Sequence, residues 1–554
     1  MNPAKVGPLK IVGGRVLASG VVLRVMPQSR RGRTQLVLVL ATLVAVVCYL
    51  RSRHLLTTFI QDEWQFIGRR QDFSWRSITR DHNGHLMIPA ALVYVSIFRF
   101  WGIDGTVVLN YLAIAGHLLV CLATSVVVWR RHGFPPAYVV GVLLAVSGVG
   151  AEIWSWGVSI GFSGSVLFFI LAVLAFDKAE ETGRLGWCVA LCVAATLSLS
   201  SSGVGLAGTG VLVLMVLQSR RRWTLWWTVV LPVAAYLPWF AANNRVSGLL
   251  RPTFLGGVRY ALDGMAASAG TVLGVGMLGG YIILVAIVAL SFRPGAMPRW
   301  SVRRHAWMLF LAGFWAMNAY ARGWFGDVQV GRYLWVGSMG VVMAAAESLP
   351  RWMPSRRTGL VLMAAVVPLL VVATVRTDEF VDSFRSFSGG RQDEVMARST
   401  VAMRGRDIID DSIGVQLSWN VPLLSAGEFF RAVDMHGPPA TIPLAALSDA
   451  RYAEFADKAI HDLGVRGDFV VRGGAPCIDG TGSTVVELDQ SESATIVVES
   501  PTEAIVTVFL RAGERRPFNV VALPEGAWVL RSPDIGLGRR IVWDFGAAPM
   551  TVCG

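Results

Sequence analysis

The stretch "RRGRTQLVLVLATLVAVVCYL", residues 30–50, decides how the rest of the chain is read. Three arginines stand directly before a run from 34 to 50 that carries no charge. At about 1.5 Å per residue such a run approaches the width of a bilayer's hydrocarbon core. Basic residues stay on the cytoplasmic side of a span, so the tail 1–33 is expected inside and the first span runs outward. No short apolar core with a small-residue cleavage site follows, so the segment reads as a retained span.

The pattern repeats along the chain. Of 554 residues, 54% are hydrophobic and 16% charged, with a mean hydropathy of +0.53. A soluble domain carries about a quarter of charged residues. The composition therefore excludes a soluble enzyme and predicts a mainly α polytopic membrane protein. A net charge of +13 does not mark a nucleic-acid binder, because the arginines sit in short loops between apolar runs. After the first span, further spans are expected near 106–129, 135–150, 160–176, 185–200, 203–218, 224–241, 266–291, 305–320, 331–347 and 359–374, roughly eleven in all. This places "WRRHG" (129–133), "DKAEETGR" (177–184), "SRRRW" (219–223), "RPGAMPRWSVRR" (293–304) and "RWMPSRR" (351–357) together inside. The stretch 86–100, interrupted by Arg99, reads as an interfacial helix within a long first outer loop, 51–105. At "SLSSSGVG" (198–205) two spans meet in a tight turn or a broken helix.

After residue 374 the composition turns polar. An odd number of spans puts 375–554 outside, as a linker with helical segments (375–467) and a small antiparallel β-sandwich (468–554). Alternating runs such as "TVVEL" (484–488), "AIVTVFL" (504–510) and "RRIVWDF" (539–545) carry the strand reading. Cys48, Cys121, Cys188 and Cys192 lie in apolar runs as small core residues. Cys477 and Cys553 bracket the polar region, where an oxidising compartment permits a disulfide between them; two separate thiols are the alternative.

Three features then share the outer face. The first loop holds "TTFIQDEWQFIGRR" (57–70) with the adjacent acids Asp62 and Glu63, followed by Asp72, Asp81, His82 and His85. "GAEIWSWG" (150–157) carries Glu152 between apolar residues, with Trp154 and Trp156. "ARGWFGDVQVGRYLWVG" (321–337) carries Arg322, Asp327, Arg332 and Tyr333. Asp72 reads as a solvated acid. Two adjacent carboxylates between Ile60 and Trp64 are costly without a task. One is a candidate general base tuned by the other; alternatively the pair holds a divalent cation, Mg²⁺ or Mn²⁺, through hard oxygen ligands. The tryptophans are either interfacial anchors or stacking platforms for a sugar ring. Arg332 enters a span from the side where positive charge is disfavoured, and its guanidinium suits bidentate contact with a phosphate or carboxylate.

The order of these parts resembles the GT-C superfamily of polyprenyl-phosphate-sugar-dependent glycosyltransferases. The likeness rests on a first span followed by "QDEW" (61–64), on "DHNGHLMIPAALVYVSIFRFWGID" (81–104) opening an interfacial helix, and on "GRYLW" (331–335), and it covers most of 34–374. The outer C-terminal region loosely resembles domains appended to mycobacterial-type arabinosyl- and mannosyltransferases. The resemblance implies Asp62 as base on an acceptor hydroxyl, with Glu63 supporting it or binding a metal, and Glu152 as a second acid. It implies Arg332 on the donor phosphate with Tyr333 beside it, and phosphate or acceptor contacts for His82 and His85. The implied partners are a polyprenyl-phosphate sugar donor and an envelope glycan, lipid or protein acceptor, in the plasma membrane; an Arg-rich, Lys-poor composition fits an actinobacterial cell wall. A lipid flippase, a ligase for a preassembled lipid-linked glycan, and a scaffold that has lost catalysis are the competing readings. The first is disfavoured by the absence of an internal hydropathy repeat.

Overall fold

The computed structural model of the chain describes residues 30–467 apart from 54–55, 57, 61, 71, 83, 244–252, 293–300, 324–327, 350–354, 407–408, 410, 412–413, 416–423, 444–445, 448 and 450, and beyond them the strands between 477 and 553. Asp327, the side chain of Asp62 and the side chains from 460 onward lie outside the described residues.

The chain falls into two units, 1–49 and 50–554. The first contributes most of the helix Arg30–Arg53. Within the second, Thr106–His132, Gly157–Thr182 and Arg222–Asn243 are long and apolar enough to cross a membrane, and two bent pairs raise the count to five. The chain is a helical membrane protein. The apolar segments Leu185–Ser201 and Val204–Gln218 are helical but short, meeting at Ser202, whose backbone is fully extended. Ile88–Trp101 has 14 residues and spans about 21 Å, less than a hydrocarbon core.

One expected span is corrected. Residues 266–291 are not a single helix but the arms of a pair, Phe254–Leu273 and Gly276–Ser291, bent by 99°. Gly274 and Gly276 adopt φ of 65° and 70°, a conformation that costs other residues and ends the first arm. The small residues then let the arms touch, since a Cβ on Gly280 would run into the Ala266 carbonyl.

At one end of the bundle the charged loops meet. Arg303 grips Asp177 through two nitrogens at 2.5 and 2.6 Å and Glu347 at 2.6 Å. His132 Nε2 donates to the Ala346 carbonyl at 2.8 Å and Arg131 to that of Leu349 at 3.2 Å. "WRRHG", "DKAEETGR" and the loop before residue 305 thus share one end, as the charge distribution requires. The opposite ends of Thr106–His132, Gly157–Thr182 and Gly331–Ser348 frame the candidate site.

The last apolar helix does not stop at 374. It runs from Arg356 to Arg404, 49 residues, and Asp378 on it pairs with Arg53. The helix Ala426–His436, opened by a Ser425–Glu428 capping box, lies on the first loop. Phe429 meets Trp64 at 5.6 Å between ring centres, and His436 meets Phe98 at 5.4 Å. Further on, all pairings are antiparallel. Val485–Leu488, Ile541–Asp544, Ala504–Phe509 and Asn519–Leu523 form a four-stranded sheet in that order. Val465–Gly467, Gly526–Arg531, Ser493–Val498, Met550–Cys553 and Cys477–Gly480 form a five-stranded one. Its register sets Cys553 directly opposite Cys477.

Candidate functional site

The site is organised by a break. Phe134–Val146 ends at Ser147, and the chain continues through the single turn Gly148–Gly150, the short helix Ala151–Ser155 and an extended Trp156 before Ile160–Thr182 begins. Breaking a helix inside a bundle leaves carbonyls without partners. His117 answers one of them, its Nε2 donating to the Ala145 carbonyl at 3.1 Å. The bend holds Glu152 beside the start of Gly331–Ser348, where Arg332 Nη1 donates to Glu152 Oε2 at 2.7 Å. A cation in the first turn of a helix opposes the helix dipole, so this position requires a compensating anion. Glu152 supplies one. The guanidinium also lies 5.7 Å from the centre of the Trp156 ring and 5.0 Å from that of Tyr333.

His85 lies in the electrostatic field of the same arginine. His82 and His85 face each other, with backbone bonds from His82 N to the His85 carbonyl (3.1 Å) and from His85 N to that of His82 (2.9 Å), and Gly84 is at φ 78°. The imidazole of His85 abuts Gly203 at the break between two helices; a Cβ on Gly203 would stand 2.8 Å from its Nδ1. Its pKa falls to about 4 through burial and then through the positive charges of Arg322 and Arg332. Arg322, at the end of Ala306–Arg322, has no ion pair among the described residues. As the last residue of a helix, Arg322 carries no local sign of its electrostatic effect on a histidine far upstream in the chain.

The acid pair stands at the start of one helix. Asp62 opens the helix Asp62–Arg69. Glu63, 1% exposed, accepts from the Tyr94 hydroxyl at 2.7 Å through Oε1 and from the Ile60 backbone N–H at 3.0 Å through Oε2. Both its oxygens are committed to the fold. In this conformation Glu63 holds the Tyr94 hydroxyl and the Ile60 N–H together, and so positions the first loop. Among the described residues no cluster of three or more His, Cys, Asp or Glu side chains is placed to hold a metal. Tyr94 was invisible as its partner because 31 residues separate them.

The pair is nonetheless tied to the arginine cluster. Gly157 presses against Glu63, for a Cβ there would lie 2.8 Å from both Glu63 Oε1 and the Tyr94 hydroxyl. The neighbouring residue, Trp156, faces Arg332. The segment 152–157 therefore separates the helix bearing Asp62 from the Arg332 pair by a few residues of broken backbone. Gly157→Ala is expected to push Glu63 and Tyr94 apart, costing about 1–3 kcal/mol and lowering the thermal unfolding midpoint; an unchanged midpoint contradicts the close approach.

Other expected site residues are buried. Trp154 and Trp156 are 1% and 3% exposed, so in this conformation they wall the site rather than offer open stacking faces. Tyr333 packs against Phe162 and Phe314. His82 is buried against Phe66, whose ring also contacts Tyr94 and the Arg70 guanidinium. Burial, then the charges of Arg70 and His85, holds the His82 pKa well below the ordinary value. Asp72 is exposed and its carboxylate caps Ser74, as a solvated acid does.

Both histidines thus stay neutral in the folded chain, whereas the unfolded chain takes up protons near pH 6.5. Between those values the unfolded state binds more protons, so stability rises with pH. It is expected to be full above about pH 6.5 and to decline toward pH 4. Unfolding midpoints recorded across that range test this, and His85→Gln should flatten the decline.

No family model and no curated protein matches the chain. Among solved structures, ArnT from Cupriavidus metallidurans bound to undecaprenyl phosphate is 14% identical with a TM-score of 0.40, over 76% of this chain and 87% of that one. ArnT from the same organism in the apo state is 13% identical with a TM-score of 0.41, over 78% and 94%.

Proposed function

We propose that the chain is a membrane glycosyltransferase of the GT-C type. It moves a sugar from a polyprenyl-phosphate donor to an envelope glycan, lipid or protein acceptor on the extracytoplasmic face. The observation that carries this reading is the Glu152–Arg332 ion pair at one end of the bundle, with His85 in the electrostatic field of Arg332 and Arg322, near the helix that Asp62 opens. A lipid-phosphate leaving group needs positive charge fixed in place before it departs. Arg332, oriented by Glu152 and backed by Arg322, supplies it. Asp62 takes the proton from the acceptor hydroxyl as that oxygen bonds to the anomeric carbon. The bond from that carbon to the phosphate oxygen breaks, and the electron pair leaves with the lipid phosphate. One base on the acceptor side makes this a single displacement with inversion. Neutral His85 donates or accepts a hydrogen bond beside the phosphate without adding charge.

Asp62→Asn tests the assignment. In nanodiscs supplied with polyprenyl-phosphate sugars, transfer is expected to fall by about 10²–10⁴-fold with the unfolding midpoint unchanged. Turnover at the wild-type level would remove Asp62 from the mechanism. The extracytoplasmic location of 375–554 carries its own test. The opposed Cys477 and Cys553 support a disulfide, since directly opposed residues on antiparallel strands have Cα atoms about 4.5–5.5 Å apart, within disulfide reach. Peptide mapping without reductant should recover the two cysteines in one linked species. Recovery of both as free thiols from membranes isolated under alkylation argues for an interior location.

A further inference from the structure

A second cationic site lies away from the Glu152–Arg332 pair. Arg69, Arg76, Arg80 and Arg431 line a cavity of about 550 Å³ whose wall includes Trp239 and Asn243. Its two acids, Asp72 and Glu428, do not neutralise it. Asp72 is engaged by the Ser74 hydroxyl at 2.6 Å and the Ser74 N–H at 3.1 Å. Glu428 completes a capping box and stands 3.9 Å from Arg69. No ion pair among the described residues reaches Arg76, Arg80 or Arg431. Arg80 is held below the usual guanidinium range by burial and by Arg69, an effect Glu428 offsets and Arg76 adds to. Three guanidiniums without an ion pair among the described residues, beside the Arg69–Glu428 pair, converge on a polar cavity and call for an anion.

Where the cavity sits narrows the anion. Trp239 and Asn243 belong to the last turns of Arg222–Asn243, one of the helices able to cross a membrane, so the cavity lies where that helix leaves the bilayer. Trp239 Nε1 donates to the Thr79 carbonyl at 2.7 Å and pins the arginine-bearing loop to that helix end. On the same loop Trp75 is 75% exposed and Phe73 46%. Large apolar side chains beside arginines at a helix end are the arrangement of a membrane interface.

We propose that this cavity seats the phosphate of a membrane lipid headgroup, with Trp75 and Phe73 in the acyl boundary next to it. The site is separate from the transfer chemistry and does not depend on it. Arg76 and Arg431 are exposed and can be changed without disturbing the core, so Arg76→Gln/Arg431→Gln is the variant of choice. The full-length protein in detergent is titrated with phosphatidic acid, diacylglycerol and inorganic phosphate, and lipid retention is read by native mass spectrometry. Phosphatidic acid is expected to bind at least about tenfold more tightly than diacylglycerol, more weakly at high salt, and about tenfold less in the double variant. Trp75→Ala should weaken the lipid and leave inorganic phosphate unaffected. Equal retention by the double variant overturns the proposal. So does inorganic phosphate binding as tightly as phosphatidic acid with no effect of Trp75→Ala, which would make the cavity a site for a soluble phosphate.

Discussion

Arg332→Gln is expected to lower sugar transfer by about 10²–10³-fold, the cost of removing a fixed charge from the place where charge develops. Loss of activity alone would not separate a phosphate ligand from a structural ion pair, because the change also leaves Glu152 without its partner. The two are both largely buried, with side-chain exposures of 25% for Arg332 and 18% for Glu152, and stranding one of them costs about 1–3 kcal/mol of stability. The double change Arg332→Gln/Glu152→Gln separates the effects. It restores a neutral pair, so the unfolding midpoint should return most of the way toward wild type. Transfer should not return, because no cation remains for the departing phosphate. Glu152→Gln alone should retain Arg332 and reduce transfer less, by about tenfold, through loss of orientation. Recovery of transfer in the double variant would show the pair to be scaffolding only.

The legibility of these features in the sequence follows from the kind of interaction each one makes. The positions of the apolar helices could be read because the bilayer imposes a length and a polarity on every crossing segment. Arg131, Asp177 and Arg303 converge at one end, as the charge pattern required. Glycine pairs were less transparent. Gly274 and Gly276 split an apolar run that hydropathy alone reads as continuous, because hydropathy does not register a left-handed backbone. Arg332 could be singled out since a cation at that helix start has no favourable local partner. Its anion, Glu152, is 180 residues earlier in the chain; sidedness put the two on one face but did not pair them. Nothing local distinguished Glu63 from Asp62. The burial of Glu63 depends on the turn of the helix that starts there and on Tyr94, a residue of another helix. The packing of Ala426–His436 onto the first loop was likewise unreadable, because its apolar face is common to any amphipathic helix.

The buried position of Glu63 yields the second large effect. Glu63→Ala is expected to cost about 3–5 kcal/mol, as it removes a buried acceptor and leaves the Tyr94 hydroxyl and the Ile60 N–H facing an empty space. Glu63→Gln keeps the shape and one accepting oxygen but turns an amide N–H₂ toward a donor, so a loss of about 1–2 kcal/mol follows. Tyr94→Phe should resemble the milder change, and Tyr94→Phe/Glu63→Gln should cost less than the two added together, because each alone removes the same bond. Asp62→Asn behaves in the opposite way, with transfer lost and the midpoint kept. The contrast between neighbouring acids is what gives the test its force. If both changes reduced transfer equally at constant stability, the pair would act as a unit on the substrate, and the buried, doubly bonded position of Glu63 would not describe the working enzyme. If both reduced stability alone, Asp62 would also be structural, and the base would have to be sought elsewhere on the face that Arg332 and His85 share.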